Sequence, residues 1–426
     1  MRKYITAIVM FSLVFFGLSS LSHGSGFLIY EHGAAAMAMG GAFVALANNP
    51  SAVFHNPAGI AFLDGTQISL GTTLITSNTS LELTNLATTV ETVSQWFYPS
   101  TFYISHKIND RIAAGFGFFN PYGLGTKWDE DYPLKYIATR DDMKTFFFNP
   151  VVAIKLDENF SVAVGITYVY ATLDFDRVNL VDLTGYGGSI YEAPIEVKGT
   201  GSAFGLNAGA LYRGENFSLG FNWRGGFDLD LEGDLALDNS NIPAVFQPSV
   251  PTEADVATSM GIPHILGFGV AFNLTESLIF TADLHYVLWS SFKEFVIEVD
   301  NPDPVPDETE EFLEDWKDSY IIRAGLQYMV SENFALRAGF LYDKTPQPVE
   351  TMDPLLPDAN RWAITGGFGY KSGNFVIDVA YQYEPFADRE SENRGLVLHP
   401  VTEINLGLGT YSTTAHLIGV SIGFIF

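Results

Sequence analysis

The chain has no cysteine, which excludes disulfides and thiolate metal sites while leaving the redox compartment open. It is also short of charge. Asp, Glu, Lys and Arg make up 17 % of its 426 residues, against about 25 % in an ordinary soluble protein. What charge there is has mostly one sign, 22 basic against 49 acidic side chains for a net −27. Phosphate recognition needs basic patches, so a nucleic-acid partner is excluded. Beyond the first two dozen residues no run of about 18 apolar residues occurs, and without one there is no membrane-spanning helix. No group of His and carboxylates has metal-ligand spacing, and neither a cofactor nor an energy source is implied.

What is present starts with an export signal. Arg2 and Lys3 precede an apolar run from Ile5 to Leu21, and Ser22-His23-Gly24 puts small residues at a cleavage site. Residues 1–24 therefore read as a signal peptide, with a membrane anchor as the competing reading. Residues 25–64 are unlike the rest: small residues cluster at Gly33–Ala38 and Gly40–Ala42, followed by Asn48-Asn49-Pro50 and Asn56-Pro57-Ala58-Gly59. Such a segment is either an extension or a plug inside whatever the following residues enclose. Its many apolar side chains, Phe27, Leu28, Phe43, Val53, Phe54 and Ile60 among them, argue against a disordered leader.

From Thr66 onward apolar and polar residues alternate. Val162, Val164, Ile166, Tyr168 and Tyr170 oppose Ser161, Ala163, Gly165 and Thr167. Phe217, Leu219, Phe221, Trp223 and Phe227, read as one strand, oppose Gly220, Asn222, Arg224, Gly226 and Asp228. Aromatics gather near strand ends, and the small or polar face is wetter than a sandwich core requires, which favours a membrane barrel over a secreted soluble β protein. Tight polar turns at Asn109-Asp110, Asp157–Asn159, Gly214–Asn216, Thr275-Glu276, Ser331–Asn333 and Lys371–Gly373 alternate with seven long segments near 79–95, 121–137, 177–196, 231–260, 290–315, 344–360 and 387–410. This predicts an all-β, antiparallel transmembrane barrel of about fourteen strands over residues 65–426, with an N-terminal hatch (residues 25–64) in its lumen. The acidic stretch from Glu298 to Asp315 reads as a solvated outer loop, with divalent cations bridging it to lipopolysaccharide as the sharper alternative. Arg224, Arg323 and Arg337 are expected to pair with Asp228, Asp283, Asp343 or Asp378 across the lumen, since lone confined charges are costly.

An ordered set of motifs then carries a resemblance. Ser25-Gly26-Phe27, Asn56-Pro57-Ala58, Asn120–Trp128, Trp316-Lys317-Asp318-Ser319-Tyr320, Thr345-Pro346 and Pro357–Trp362 together resemble the FadL family of outer-membrane transporters for long-chain fatty acids and other hydrophobic compounds. The resemblance implies a hatch motif at Asn56, Pro57 and Ala58. It implies ligand-binding cations at Arg177 and Lys317. It also implies a kink in the third strand, around Gly115, Gly117, Asn120 and Pro121, that opens the wall for lateral exit. Phe119, Tyr122, Trp128 and Tyr136 are candidates for an outer apolar groove. The terminal strand ends on Phe426, which resembles the signal read by barrel-assembly machinery, and a monomer in the Gram-negative outer membrane is expected. The function implied is passive import of hydrophobic molecules, fatty acids first; an aromatic-hydrocarbon channel and a non-transporting surface protein (adhesin or phage receptor) are the alternatives. Catalysis is not expected. Gly419-Val420-Ser421-Ile422-Gly423 matches the G-x-S-x-G pattern, but a nucleophile elbow needs a strand-to-helix turn. His264, His285 and His416, the bases a barrel lipase would draw on, sit on separate strands.

Overall fold

The computed structural model describes residues 26–302, 307–392 and 408–426. The signal peptide, Ser25 and parts of two outer segments lie outside the described residues. One closed antiparallel sheet holds fourteen barrel strands. The first seven are β1 (Thr66–Leu83), β2 (Thr88–Glu91 and Ser100–Lys107), β3 (Ile112–Phe119 and Gly123–Lys127), β4 (Arg140–Lys155), β5 (Phe160–Asp182), β6 (Ile190–Arg213) and β7 (Phe217–Arg224 and Phe227–Leu237). They continue as β8 (Glu253–Ile262 and Ile265–Asn273), β9 (Leu278–Val287 and Glu294–Asp300) and β10 (Glu308–Leu313 and Ser319–Ser331). The last four are β11 (Phe334–Asp343), β12 (Arg361–Ser372), β13 (Phe375–Pro385 and Arg389–Glu390) and β14 (Gly409–Ile425). β14 closes on β1 from Gln67↔Ile425 to Leu83↔Gly409, so the sheet has no free edge at its seam.

Alternation places the lipid face. Val164, Ile166, Phe204 and Leu206 are all more than half exposed, which in a barrel means contact with hydrocarbon. Two aromatic bands flank them. Tyr320–Tyr342 and Trp362–Tyr383 pair at the outer end, and Tyr212–Phe217 and Phe375–Phe424 at the periplasmic end.

The six tight turns fall where expected, but the long segments do not stay irregular. β5 and β6 pair without a break from Phe160↔Tyr212 to Asp182↔Ile190. At about 3.3 Å per residue such strands outrun a hydrocarbon core of about 30 Å, so their outer halves stand clear of the bilayer. β7 carries a second correction. At Gly225-Gly226 the strand breaks and its faces invert: Leu219 is 47 % exposed to lipid, whereas Leu229 and Leu231 are buried in the lumen. The break also offsets the pairing with β6 by one residue, from Asn207↔Arg224 to Gly201↔Leu231, as a bulge does.

Residues 26–63 lie inside the barrel. Two single-turn helices, α1 (Ala34–Met37) and α2 (Ala52–His55), and a 3-10 turn (Pro57–Phe62) are buried almost throughout. Close approach to the wall depends on inward glycines: a Cβ on Gly220, Gly339 or Gly419 would meet Val44, Met39-Gly40 or Met37 at under 3 Å.

Candidate functional site: the plug and the open edge of the third strand

The β2–β3 ladder runs from Lys107↔Ala113 to Phe102↔Phe118 and then stops. Just beyond it a side chain links the strands instead, Ser100 N–H donating to Asn120 Oδ1 at 3.0 Å. Pro121 has no N–H to offer, and Asn120 Nδ2 turns away to donate to Thr145 O of β4 at 2.6 Å. β3 resumes at Gly123 but is laddered to β4 alone; toward β2 the next backbone bond is Val93 N–H to Lys127 O, 2.7 Å. The vacant edge of β3 is taken by the plug. Ile29 N–H donates to Pro121 O (2.8 Å), Gly123 N–H donates to Phe27 O (3.1 Å), and Leu28 bridges Tyr122. The start of the plug is thus an added strand, bound as peptides are by sheet edges. Gly115 and Gly117 serve the same contact: a Cβ on either would come within 3.0 Å of Val53 of the plug.

Above this edge Phe27 sits in an aromatic box. Its ring lies 4.8 Å from Trp289, 5.7 Å from Phe292 and Trp316, and 5.9 Å from Tyr122. Gly26, at φ +66°, has no room for a side chain against Trp316, and its N–H donates to Asp358 Oδ2 at 3.0 Å. Burial pushes the Asp358 carboxyl above its ordinary range, opposed by the Arg361 and Arg389 charges and by bonds from Thr345 and Gly26. Trp289 and Phe292 escaped the sequence reading, and Asp358 entered it only as part of the Pro357–Trp362 motif, with no role assigned. Phe292 belongs to a segment read as outer loop and Trp289 sits just before it, and only the fold brings Asp358 to Gly26, 332 positions away.

Asn56 holds the other end of the plug. Its Nδ2 donates to Val44 O (2.9 Å) and to Ala210 O of β6 (3.0 Å), while its Oδ1 accepts from Ala58 N–H. Ser161 Oγ donates to Ala58 O. The lumen arginines divide. Arg337 pairs with Asp378 at 2.6 Å, as expected. Arg323 and Arg224 instead donate to plug carbonyls, Gly40 O and Phe54 O. The face inversion in β7 turns Asp228 outward, out of reach of Arg224; Asp283 is occupied by Phe43 and Val44 N–H, and Asp343 by Arg361. Ser421 accepts from Ala34 N–H in an unbroken β14, so its pattern match is a plug anchor.

Arg177 forms a two-pronged pair with Glu310 (2.7 and 2.6 Å), and Lys317, well exposed, meets Asp315 at 2.5 Å. The four groove candidates do not converge. Phe119 packs on Phe54 of the plug, Tyr122 joins the Phe27 box, Trp128 stacks on Tyr132 in an outer cluster, and Tyr136 donates to Glu192. Above the plug an apolar pocket is lined by Leu173, Phe175, Val197, Leu231, Val256 and Ile297, with free space of about 20 Å³. On this measure about 10–15 Å³ holds one water, so the space suits a single water and a hydrocarbon enters only by displacing side chains. Below the plug a cavity of about 250 Å³ has a mixed lining, Asn48, Asn49, Arg337 and Asp378 beside Phe43, Ile68 and Val376.

Comparison with known proteins agrees with this architecture. A family model, "Outer membrane protein transport protein (OMPP1/FadL/TodX)", matches residues 16–426. Long-chain fatty acid transport proteins of Salmonella typhi and Escherichia coli (strain K12) are 25 % and 24 % identical over 370 and 383 residues, covering 80 % of this chain and 82 % and 83 % of theirs. Among solved structures, a Pseudomonas aeruginosa FadL homologue superposes with TM-score 0.80 at 19 % identity (94 % of this chain, 100 % of that one). The P. putida toluene transporter TodX superposes with TM-score 0.72 at 17 % identity, over 95 % and 99 %.

Proposed function

The chain belongs to the OMPP1/FadL/TodX family of outer membrane transport proteins, and from that premise we propose that it imports hydrophobic molecules passively, long-chain fatty acids first. Apolar ligand displaces side chains above the plug, competes with Phe27 for the aromatic box, and so draws the added strand off the edge of β3. It then leaves sideways between β2 and β3. The observation that carries this reading is the hydrogen bonding of Phe27 and Ile29 to β3 where β2 has withdrawn. A straight descent would take hydrocarbon through the cavity below and out into water, at about 0.8 kcal/mol lost per re-exposed CH₂. In the same reading the protein is a non-catalytic monomer that meets lipopolysaccharide with its outer loops and is inserted by assembly machinery reading Phe426.

Expression in a Gram-negative host lacking its own fatty-acid transporter should confer oleate uptake; no gain would favour a surface protein that does not transport. Aromatic hydrocarbon is the second reading, favoured by one observation: Arg177 and Lys317 already hold carboxylates, Glu310 and Asp315. If Arg177 exchanges Glu310 for a fatty-acid carboxylate, Arg177→Ala should weaken oleate binding about tenfold, or ~1.4 kcal/mol, without slowing toluene entry. Equal oleate affinity in the variant would remove Arg177 from the site.

A further inference from the structure

Along the gap between β2 and β3, residues 94–99 run beside 121–126 without a ladder bond. On its other side this stretch is fixed to β1. Phe97 N–H donates to Ile75 O at 2.9 Å and Ile75 N–H to Phe97 O at 2.8 Å. The Phe97 ring is therefore on the inward face with Ile75, while Trp96 and Tyr98, 58 % and 70 % exposed, point to lipid. The ring crosses the gap and lies on Gly125, where a Cβ would fall 2.3 Å from two ring carbons. Two residues away Ile29 of the plug covers Gly123 in the same manner, 2.9 Å from where a Cβ would be.

We propose that Phe97 is the wall-borne leaf of a two-part apolar lid over this gap, Ile29 being the plug-borne leaf, and that cargo leaving sideways must turn the Phe97 ring off Gly125. This rests on the lateral-exit reading above. The two leaves move by different means. Ile29 is held by its own backbone bond to β3, so it leaves only when the plug strand does. The backbone of Phe97 stays bonded to β1, so this leaf opens by rotation of its side chain, a fast and local motion. With Ile29 withdrawn, the ring sets the width of the exit.

The test is oleate uptake by whole cells. Phe97→Ala should raise the initial rate about tenfold, a barrier lower by about 1.4 kcal/mol; an unchanged or slower rate overturns the proposal. Phe97→Leu, too short to cover Gly125, carries the same expectation with more of the bulk kept, should the alanine variant fail to assemble. The double variant Phe97→Cys with Gly125→Cys, in a chain without native cysteine, separates the two claims. If its oxidised form blocks uptake and its reduced form restores it, while Phe97→Ala changes nothing, the lateral route stands and Phe97 is not its lid. Uptake at equal rates in the oxidised and reduced forms would remove the lateral route and the lid together.

Discussion

At Asn56 three hydrogen bonds converge, two of them on the plug and one on β6. Asn56→Ala would take from Val44 O its partner inside the barrel, at about 1–3 kcal/mol for a buried group, and would release the plug from Ala210 of β6, whose own ladder pairing with Val162 and Phe221 stays. None of that loss touches the barrel ladder. The variant is expected to admit large hydrophilic antibiotics while its barrel still migrates as a heat-resistant band; unaltered antibiotic sensitivity would mean that the plug does not depend on this side chain. The motif around Asn56 was legible in the sequence because its contacts begin locally, with Oδ1 accepting from Ala58 two residues on. The roles of Asp358 and Trp289 were not, because each acts on a residue hundreds of positions away. Arg224 misled for a related reason: two glycines inverted β7 between it and its expected partner.

Among the outer elements, the loop between β11 and β12 buries Asp353, and the chain leading into Trp316 buries Glu314. Asp353 accepts from Leu355 and Leu356 N–H, and Glu314 from Trp316 Nε1. Burial pushes Asp353 up to about 6 and Glu314 well above its ordinary value, and each charge raises the cost of the other. Because the folded site favours the protonated acids, the stabilisation is complete below the ordinary carboxylate range and is lost as pH rises through about 6. Amide exchange in residues 350–356, corrected for intrinsic rates, should speed up between pH 5 and 7.5, and Asp353→Asn should flatten that rise. A profile already flat in the unsubstituted protein would show that these acids do not hold the loop. Strands and tight turns were legible from alternation and turn residues. The outer ends of β5 to β8 were not, because above the bilayer the apolar side chains (Leu173, Phe175, Val197, Leu231 and Val256) turn inward, and the two-residue period no longer marks a lipid side.

Taken whole, the molecule is a closed wall with an apolar exterior, a plug seated on inward glycines, and one place where a wall strand bonds to the plug instead of its neighbour. The wall was readable from periodicity and the place of the break from Pro121. What fills the break was not, since strand addition by residues 27–29 leaves no trace in local sequence. The direct measurement is the path of the cargo. A photoreactive oleate analogue, activated during uptake, is expected to label residues 94–100 and 119–126. Labelling that instead falls on Asn48, Asn49, Gln327 and Arg337, beneath the plug, and spares the β2–β3 gap would contradict the account.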